Sequence, residues 1–295
     1  MSGYRLIVTD VDGTILTPEG ELSPRMLRAA RLAHERGVTL ALATARRWTG
    51  AEPVARALGA ARSLILYDGA LRRTFPGGAV EAVDPLAADV AREAATRIAA
   101  NGLRVVAQYS LAAGERMVAT AETPHGEWME PYLAMFSRQV RYRPLDALLT
   151  GTRKPLRLVS FGPLETLGTV ADSLAGLPAG WQILPMGSYG VAELTVFSQG
   201  ASKGAALTRL AADLGVPVEE TMAIGDGVND ISMLRAAGLG VAMGHAAPHV
   251  RAAADVATAS NAEDGAARAI ERYALGETPE DEAAGGVEPD EEEPA

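Results

Sequence analysis

The sequence predicts an α/β protein: a Rossmann-like parallel-sheet core carrying an inserted α+β module. Three observations predict it. Short aliphatic runs alternate with helical patterns up to about residue 67, and the alternation resumes at Ser202. The apolar runs end in glycine-flanked polar or acidic residues, as strands do at the ligand-binding edge of an open sheet. Between them the pattern becomes a mixture of hairpins, strands and helices, which a single parallel sheet does not explain.

The first run, Leu6-Ile7-Val8-Thr9, reads as a buried strand ending in Asp10-Val11-Asp12-Gly13-Thr14. Ser23-Pro24 opens a helix whose expected apolar face is Met26, Leu27, Ala30 and Ala33, with Gly37 as its stop. Val38–Thr44 is a second strand, followed by a short helix over about 50–58. Ser63–Tyr67 is a third, ending in Asp68-Gly69-Ala70. Right-handed crossovers would bring these strand ends to one edge.

A hairpin is expected over 72–83, turning at Pro76-Gly77-Gly78, then a helix to Ala100 and strands at 103–109 and 115–119. The stretch to Thr152 is weakly patterned. A strand at 156–161, a helix at 163–175 and strands at 181–184 and 191–197 complete the insertion. From Lys203 a helix, the strand Thr221–Ile224, a helix with Met233 and Leu234 inward, the strand Leu239–Met243 and a last helix over 263–273 follow. The expected division is a core of 1–80 with 190–275, an inserted cap of 81–189, and an acidic tail of 276–295.

The chain has 295 residues and no cysteine, so disulfides and thiol chemistry are excluded. The net charge of −10 is misleading, because nine acids lie in residues 276–295 and the rest is near neutral. That tail, rich in Gly, Pro and Ala, is expected to be disordered, and the near-neutral body gives no nucleic-acid surface. No apolar run reaches membrane-spanning length, and a cytoplasmic protein, monomer or homodimer, is expected. Lysine occurs only at Lys154 and Lys203 among many arginines, which singles out both.

Asp10 and Asp12 could form an acidic turn or hold a cation. A calcium loop fails, because its third ligand position falls on Thr14 and its glycine position on Ile15. A second acidic pair, Asp226 and Asp230 in Gly225-Asp226-Gly227-Val228-Asn229-Asp230, ends another strand. Alone it could be a capped helix start; beside the first strand end, it could share one Mg²⁺ with it.

The four segments together resemble the haloacid dehalogenase (HAD) superfamily of phosphatases: Asp10–Thr14, Thr44, Lys203, and Gly225-Asp226 through Asn229-Asp230. The insertion stands where the Cof-like subfamily carries its large α/β (C2-type) cap. The resemblance spans residues 4 to about 273. It implies Mg²⁺-dependent hydrolysis of a small phosphorylated metabolite (a sugar phosphate, pyridoxal phosphate, flavin mononucleotide or a nucleotide) through an aspartyl-phosphate.

By resemblance Asp10 is the nucleophile. Asp12 is the general acid and then base, Thr44 holds a phosphate oxygen, and Lys203 bridges Asp10 and the phosphate. The metal set is Asp10, Asp12 through its backbone carbonyl, Asp226 and Asp230. Gly13, Thr44, Ala45, Arg46, Asp68, Gly69, Lys203 and Asn229 are expected at the phosphate or substrate. Alternatives are a phosphomutase of the same superfamily and, in another class, a non-catalytic Mg²⁺- and phosphate-binding signalling domain.

Three residues depart from the family pattern: Ala45 in place of Gly, Asp68 in place of Asn, and His245 in place of Asn. Asp68 is expected to face the pocket, with a group on the substrate as its favoured partner and an arginine as the other. Arg46, Arg47 and Trp48 read as phosphate or cap contacts or as packing. The four histidines (His34, His125, His245, His249) show no ligand spacing. Tyr109, Trp128, Arg157, Met186, Ser188 and Tyr189 are candidates for a substrate pocket.

Overall fold

The computed structural model describes residues 3–111, 114–150, 153–186 and 191–277. The first half of the α/β layer is β1 (Leu6–Thr9), α1 (Pro24–Glu35), β2 (Thr39–Ala43), α2 (Trp48–Leu58), β3 (Ala61–Leu66) and the hairpin β4 (Leu71–Thr74) and β5 (Val80–Val83). The insertion follows as α3 (Ala88–Ala100), β6 (Val106–Leu111), β7 (Gly114–Thr120), α4 (Glu130–Met135), β8 (Val140–Arg143), β9 (Arg157–Gly162), α5 (Leu164–Ser173), β10 (Ala179–Met186) and β11 (Val191–Ser198). The layer then resumes with α6 (Lys203–Asp213), β12 (Thr221–Gly225), α7 (Ile231–Ala236), β13 (Leu239–Ala242), α8 (Pro248–Arg251), β14 (Val256–Ala257) and α9 (Gly265–Ala269), which continues into a last turn over Ile270–Leu275.

Eight strands form one sheet in the order β14-β13-β12-β1-β2-β3-β4-β5. From β14 to β3 all neighbours are parallel, and β4 and β5 add an antiparallel edge. β1 lies between the two halves of the chain: Leu6–Thr9 sits opposite Thr221–Ile224 on one side and Thr39–Leu42 on the other. Alternation along β1 decides what each residue packs on. Leu6 and Val8 face α6 and α7 through Leu207, Leu210, Met233 and Leu234. Ile7 faces α1, α2 and the C-terminal turn through Met26, Ala30, Ala51 and Ile270.

The second sheet has six strands in the order β10-β11-β9-β6-β7-β8. One face is covered by α3 and α5, whose Ala94, Ile98, Leu167 and Val170 pack on Ala107, Leu158 and Leu194. The other face is apolar under α4, where Val106, Met117, Val159 and Phe161 meet Met129 and Leu133.

Some expectations change. Ser23 caps α1, its hydroxyl accepting from Met26 N at 3.0 Å, but Leu27 is exposed and Ala29 takes its place inside. The strand beyond the expected border at 190, β11, pairs with β9 and β10, so the second sheet extends to Ser198. Within the weakly patterned stretch lie α4 and β8. Glu277, expected in the tail, receives a hydrogen bond from Arg36 Nη2 at 2.5 Å. Residues 278–295, which hold the rest of the expected disordered tail, lie outside the described residues.

Candidate active site

Because β1 and β12 are parallel neighbours, their C-terminal ends place Asp10 and Asp226 side by side, with Asp10 N donating to Ile224 O at 2.9 Å. β2 brings Thr44 to the same edge, fixed by Thr44 N on Ile65 O at 2.9 Å. The fourth residue comes from below. Gly204 lets α6 press against α7, since a Cβ there would lie 2.2 Å from Ser232 O. Ser202 caps α6. Lys203 is thereby driven fully under the site, its side chain 0% exposed.

Lys203 Nζ donates to Asp10 Oδ1 at 2.5 Å and to Asp230 Oδ1 at 2.6 Å. Asp230 Oδ2 accepts from the backbone N–H groups of Asp226 (2.9 Å) and Gly227 (2.8 Å), so Asp230 folds its own loop. Thr14 Oγ1 donates to Asp226 Oδ1 at 2.9 Å. Gly13, with φ +76°, passes so close to Asp226 that a Cβ would lie 2.5 Å from Oδ2.

Burial opposes the charge on Lys203, but Asp10 and Asp230 outweigh it and hold the ammonium well above its ordinary range. Asp10 is pushed above the usual carboxylate range by burial and by Asp230 and Asp226, against the pull of Lys203. Asp226 is raised as well, by burial and by Asp230. One oxygen from each of Asp10, Asp226 and Asp230 lies within 4.8 Å of the others. Three carboxylates around one ammonium leave surplus negative charge on an all-oxygen donor set, which fits a hard divalent cation such as Mg²⁺.

The Asp12 carboxylate stands apart from this cluster: it is 60% exposed and gripped by Arg46, with Nε on Oδ2 at 2.8 Å and Nη2 on Oδ1 at 2.6 Å. The hydrogen bonding to the Asp12 carboxylate leads the effects that hold the Arg46 guanidinium above its ordinary range. Thr44 Oγ1 accepts from Arg46 N at 3.0 Å, leaving its hydroxyl proton to donate elsewhere.

A cleft of about 940 Å³ opens over these residues, lined by Asp10, Asp12, Thr44, Ala45, Arg46, Asp226, Asn229 and Asp230 on the first sheet. The second sheet and α4 supply Tyr132, Met135, Phe136, Gln139, Arg157, Leu184, Pro185 and Glu193. Arg47 also lines it, lying 3.8 Å over the Phe136 ring and donating to Gln139 Oε1 at 2.6 Å. A glutamate of β7, Glu115, accepts from Trp48 N (2.7 Å), Thr49 N (3.2 Å) and Tyr67 Oη (2.7 Å), tying the insertion to the start of α2.

Asp68 meets the second of the two partners expected for it, an arginine, and does not face the pocket as expected. It is 5% exposed, does not line the cleft, and its carboxylate accepts from Arg157, Gln182 and Asn229. Gly69 is also turned away, packed where a Cβ would lie 2.2 Å from Ser202 O. Of the pocket candidates, Arg157 lines the cleft, whereas Tyr109 and Trp128 pack in the insertion. Ser188, Tyr189 and the side chain of Met186 fall outside the described residues.

His245 was missed. Its Nε2 lies 3.5 Å from Asp226 Oδ2, and its Nδ1 accepts from Asn261 N at 3.4 Å. The signal was its place just past the end of β13, on the same sheet edge as Asp226. The other cleft residues of the insertion lie on α4 and its flanks or on β10 and β11, and carry no motif.

A family model described as haloacid dehalogenase-like hydrolase matches residues 7–270. The chain belongs to that family. The HMP-PP phosphatase of Serratia proteamaculans is 32% identical over 250 residues, 84% of this chain and 86% of that protein. The pyridoxal phosphate phosphatase YbhA of Escherichia coli is 28% identical over 274 residues, 90% of this chain and 97% of that one. Among solved structures, the subclass IIB sugar phosphatase BT4131 superposes with a TM-score of 0.76 at 23% identity, covering 92% of this chain and 99% of that one. A haloacid dehalogenase-like hydrolase from Bacteroides thetaiotaomicron gives 0.72 at 30% identity, with 91% and 99% covered. This HAD protein is a phosphoric monoester hydrolase of the Cof-like type with an α/β cap. Among its described residues no helix is long and apolar enough to cross a membrane.

Proposed function

We propose that this HAD hydrolase removes phosphate from a small phosphorylated metabolite with Mg²⁺ and an aspartyl-phosphate on Asp10. The observation that carries the reading is the meeting of Asp10, Asp226 and Asp230 over a fully buried Lys203. Asp10 and Asp226 would hold the ion, with Asp230 orienting their loop because both its oxygens are already engaged. Bound there, Mg²⁺ would neutralise the meeting of a carboxylate with a phosphate dianion.

Asp10 Oδ1 is held by Lys203, so the other oxygen is the one to attack phosphorus as the ester P–O bond breaks. Asp12, once free of Arg46 and carrying a proton taken up from water, would give that proton to the departing oxygen. It then takes a proton from the water that cleaves the acyl phosphate, returning Asp10 and releasing inorganic phosphate. The Thr44 hydroxyl and the Lys203 ammonium would steady the phosphoryl oxygens.

The insertion, 81–189 in outline and extended by β11, serves in this reading as the specificity cap. The cleft volume suits a metabolite rather than a macromolecule. HMP-PP and pyridoxal phosphate, the compounds in the relatives' names, are the first esters to try, with sugar phosphates beside them. Phosphate release would be followed over several dozen esters, with Mg²⁺ and with EDTA. Release from at least one ester that EDTA abolishes and Asp10→Asn removes is expected. No release from any ester, by protein that binds Mg²⁺, would overturn the proposal.

A further inference from the structure

The carboxylate of Asp68 joins segments that are distant in the sequence. Its Oδ1 accepts from Asn229 Nδ2 at 2.9 Å, in the loop that carries Asp226 and Asp230. Its Oδ2 accepts from Gln182 Nε2 on β10 at 3.1 Å and from Arg157 Nη1 on β9 at 3.4 Å. Its backbone N–H donates to Thr44 O at 3.1 Å, which ties it to the end of β2 as well. Tyr67 and Asp68 both hold left-handed backbone, with φ of 51° and 55°. Non-glycine residues keep that conformation where their surroundings enforce it.

A carboxylate only accepts hydrogen bonds. Asn229 must therefore turn its NH₂ group toward Asp68. Its Oδ1 is left against Gly227, where a Cβ would lie 2.4 Å from it. Asp68 thus fixes which end of the amide faces the loop between the two acids. Asp68 is in turn fixed by Arg157, a buried guanidinium whose Nε donates to Gln108 Oε1 on β6 at 2.8 Å.

We propose that Asp68 is a positioning residue through which the seating of the six-stranded module sets the geometry of the Gly225–Asp230 loop. With Arg157 and Gln182 seated, Asp68 Oδ1 holds Asn229 in one orientation. With the module lifted, the carboxylate loses both donors and its grip on Asn229 with them. The kinetic part of this inference rests on the phosphatase reading above; the link between module and loop does not.

The test uses the full chain and four variants: Asp68→Asn, Gln182→Leu, Asn229→Ala and the double variant Asp68→Asn/Asn229→Ala. Mg²⁺ affinity is measured by calorimetry without substrate, and hydrogen exchange is followed at the amides of 226–230. Turnover of p-nitrophenyl phosphate gives kcat and KM. Asp68→Asn is expected to weaken Mg²⁺ binding roughly tenfold, as loss of a group that orients a metal loop does. It should speed exchange in the loop and lower kcat more than it changes KM.

Gln182→Leu, which removes a donor to Asp68, should act in the same direction more weakly. It keeps the inference testable if Asp68→Asn does not fold. Against Asn229→Ala, the change Asp68→Asn should add almost nothing to the loss of Mg²⁺ affinity. If its effect persists in full on that background, or appears only in the melting temperature, Asp68 is glue between the modules and the inference is wrong. A wild-type chain that releases no phosphate yet shows the same Mg²⁺ and exchange pattern would sink the phosphatase reading and keep this one.

Discussion

Arg46 holds Asp12 by both carboxylate oxygens, at 2.6 and 2.8 Å, at the mouth of the cleft. In that arrangement Asp12 only accepts, so a part as general acid requires it to leave the guanidinium and take up a proton. Arg46 is tied back to Gly50 O at 2.9 Å, which leaves Asp12 as the partner to move.

Asp12→Asn is therefore expected to depend on the leaving group. Esters of ordinary alcohols should lose on the order of 10²–10⁴ in rate, the usual worth of a general acid. An activated aryl phosphate needs no proton on departure, so phosphoenzyme should still form and then decay slowly. Acid-quench trapping of labelled protein checks this; equal losses for good and poor esters would remove Asp12 from the acid's role.

Asp10→Asn should reduce turnover to below about a hundredth of wild type. The same change relieves the crowding of Asp10 against Asp226 and Asp230, so without metal its melting temperature should not fall. Lys203→Met acts in the opposite sense. It leaves buried carboxylates without their cation, which costs about 3–5 kcal/mol, and thermal melting should drop by many degrees.

The raised Asp10 and Asp226 carboxyls give a pH dependence with a definite sign. Between the unfolded value near ~4 and their higher values in the fold, the native state binds more protons than the unfolded one. Stability contributed by the protonated site is present below that window and lost as pH rises through it. A divalent cation removes the penalty. The melting temperature in Mg²⁺ minus that in EDTA should accordingly grow from pH 5 to pH 8; a constant difference would show that these carboxyls are not the ones the ion meets.

Gly13→Ala tests the approach to Asp226. The new methyl would lie 2.5 Å from Asp226 Oδ2 on a backbone at φ +76°. It should weaken Mg²⁺ binding measured by calorimetry, while Gly20→Ala, also at positive φ but with nothing within 4 Å, should cost stability alone.

The parallel layer was legible because β1, β2 and β12 are short, largely apolar runs that end at glycine or polar residues, and β3 closes on Leu64-Ile65-Leu66. The neighbourhood of Asp10, Asp226, Asp230 and Lys203 follows from strand order, which the alternation implied. α4 and β8 were not legible for a physical reason. α4 is six residues long and buries Leu133, and β8 buries Val140 while Arg141, Tyr142 and Arg143 are exposed, so neither shows a period. The partners of Asp12, Asp68 and Arg47, and the place of Tyr132 and Phe136 in the cleft, depend on how one module rests on the other. No local pattern records that. Asp68 is the instructive case: its departure from the family pattern was visible, and its partner was an arginine 89 residues away.

β1, at the middle of the large sheet, takes one neighbour from early in the chain and the other from far beyond it. Leu6 pairs with Thr39 on one side and with Thr221 on the other. At roughly 5–20 residues per second, a ribosome needs on the order of ten to forty seconds to deliver the second partner. Throughout that interval an aliphatic strand offers a bare hydrogen-bonding edge, the kind of surface on which other chains pair. Asp10 likewise waits for its ammonium until Lys203 has been made. A fragment ending before β12 would lack the strand that covers this edge and, with it, Asp226 and Asp230.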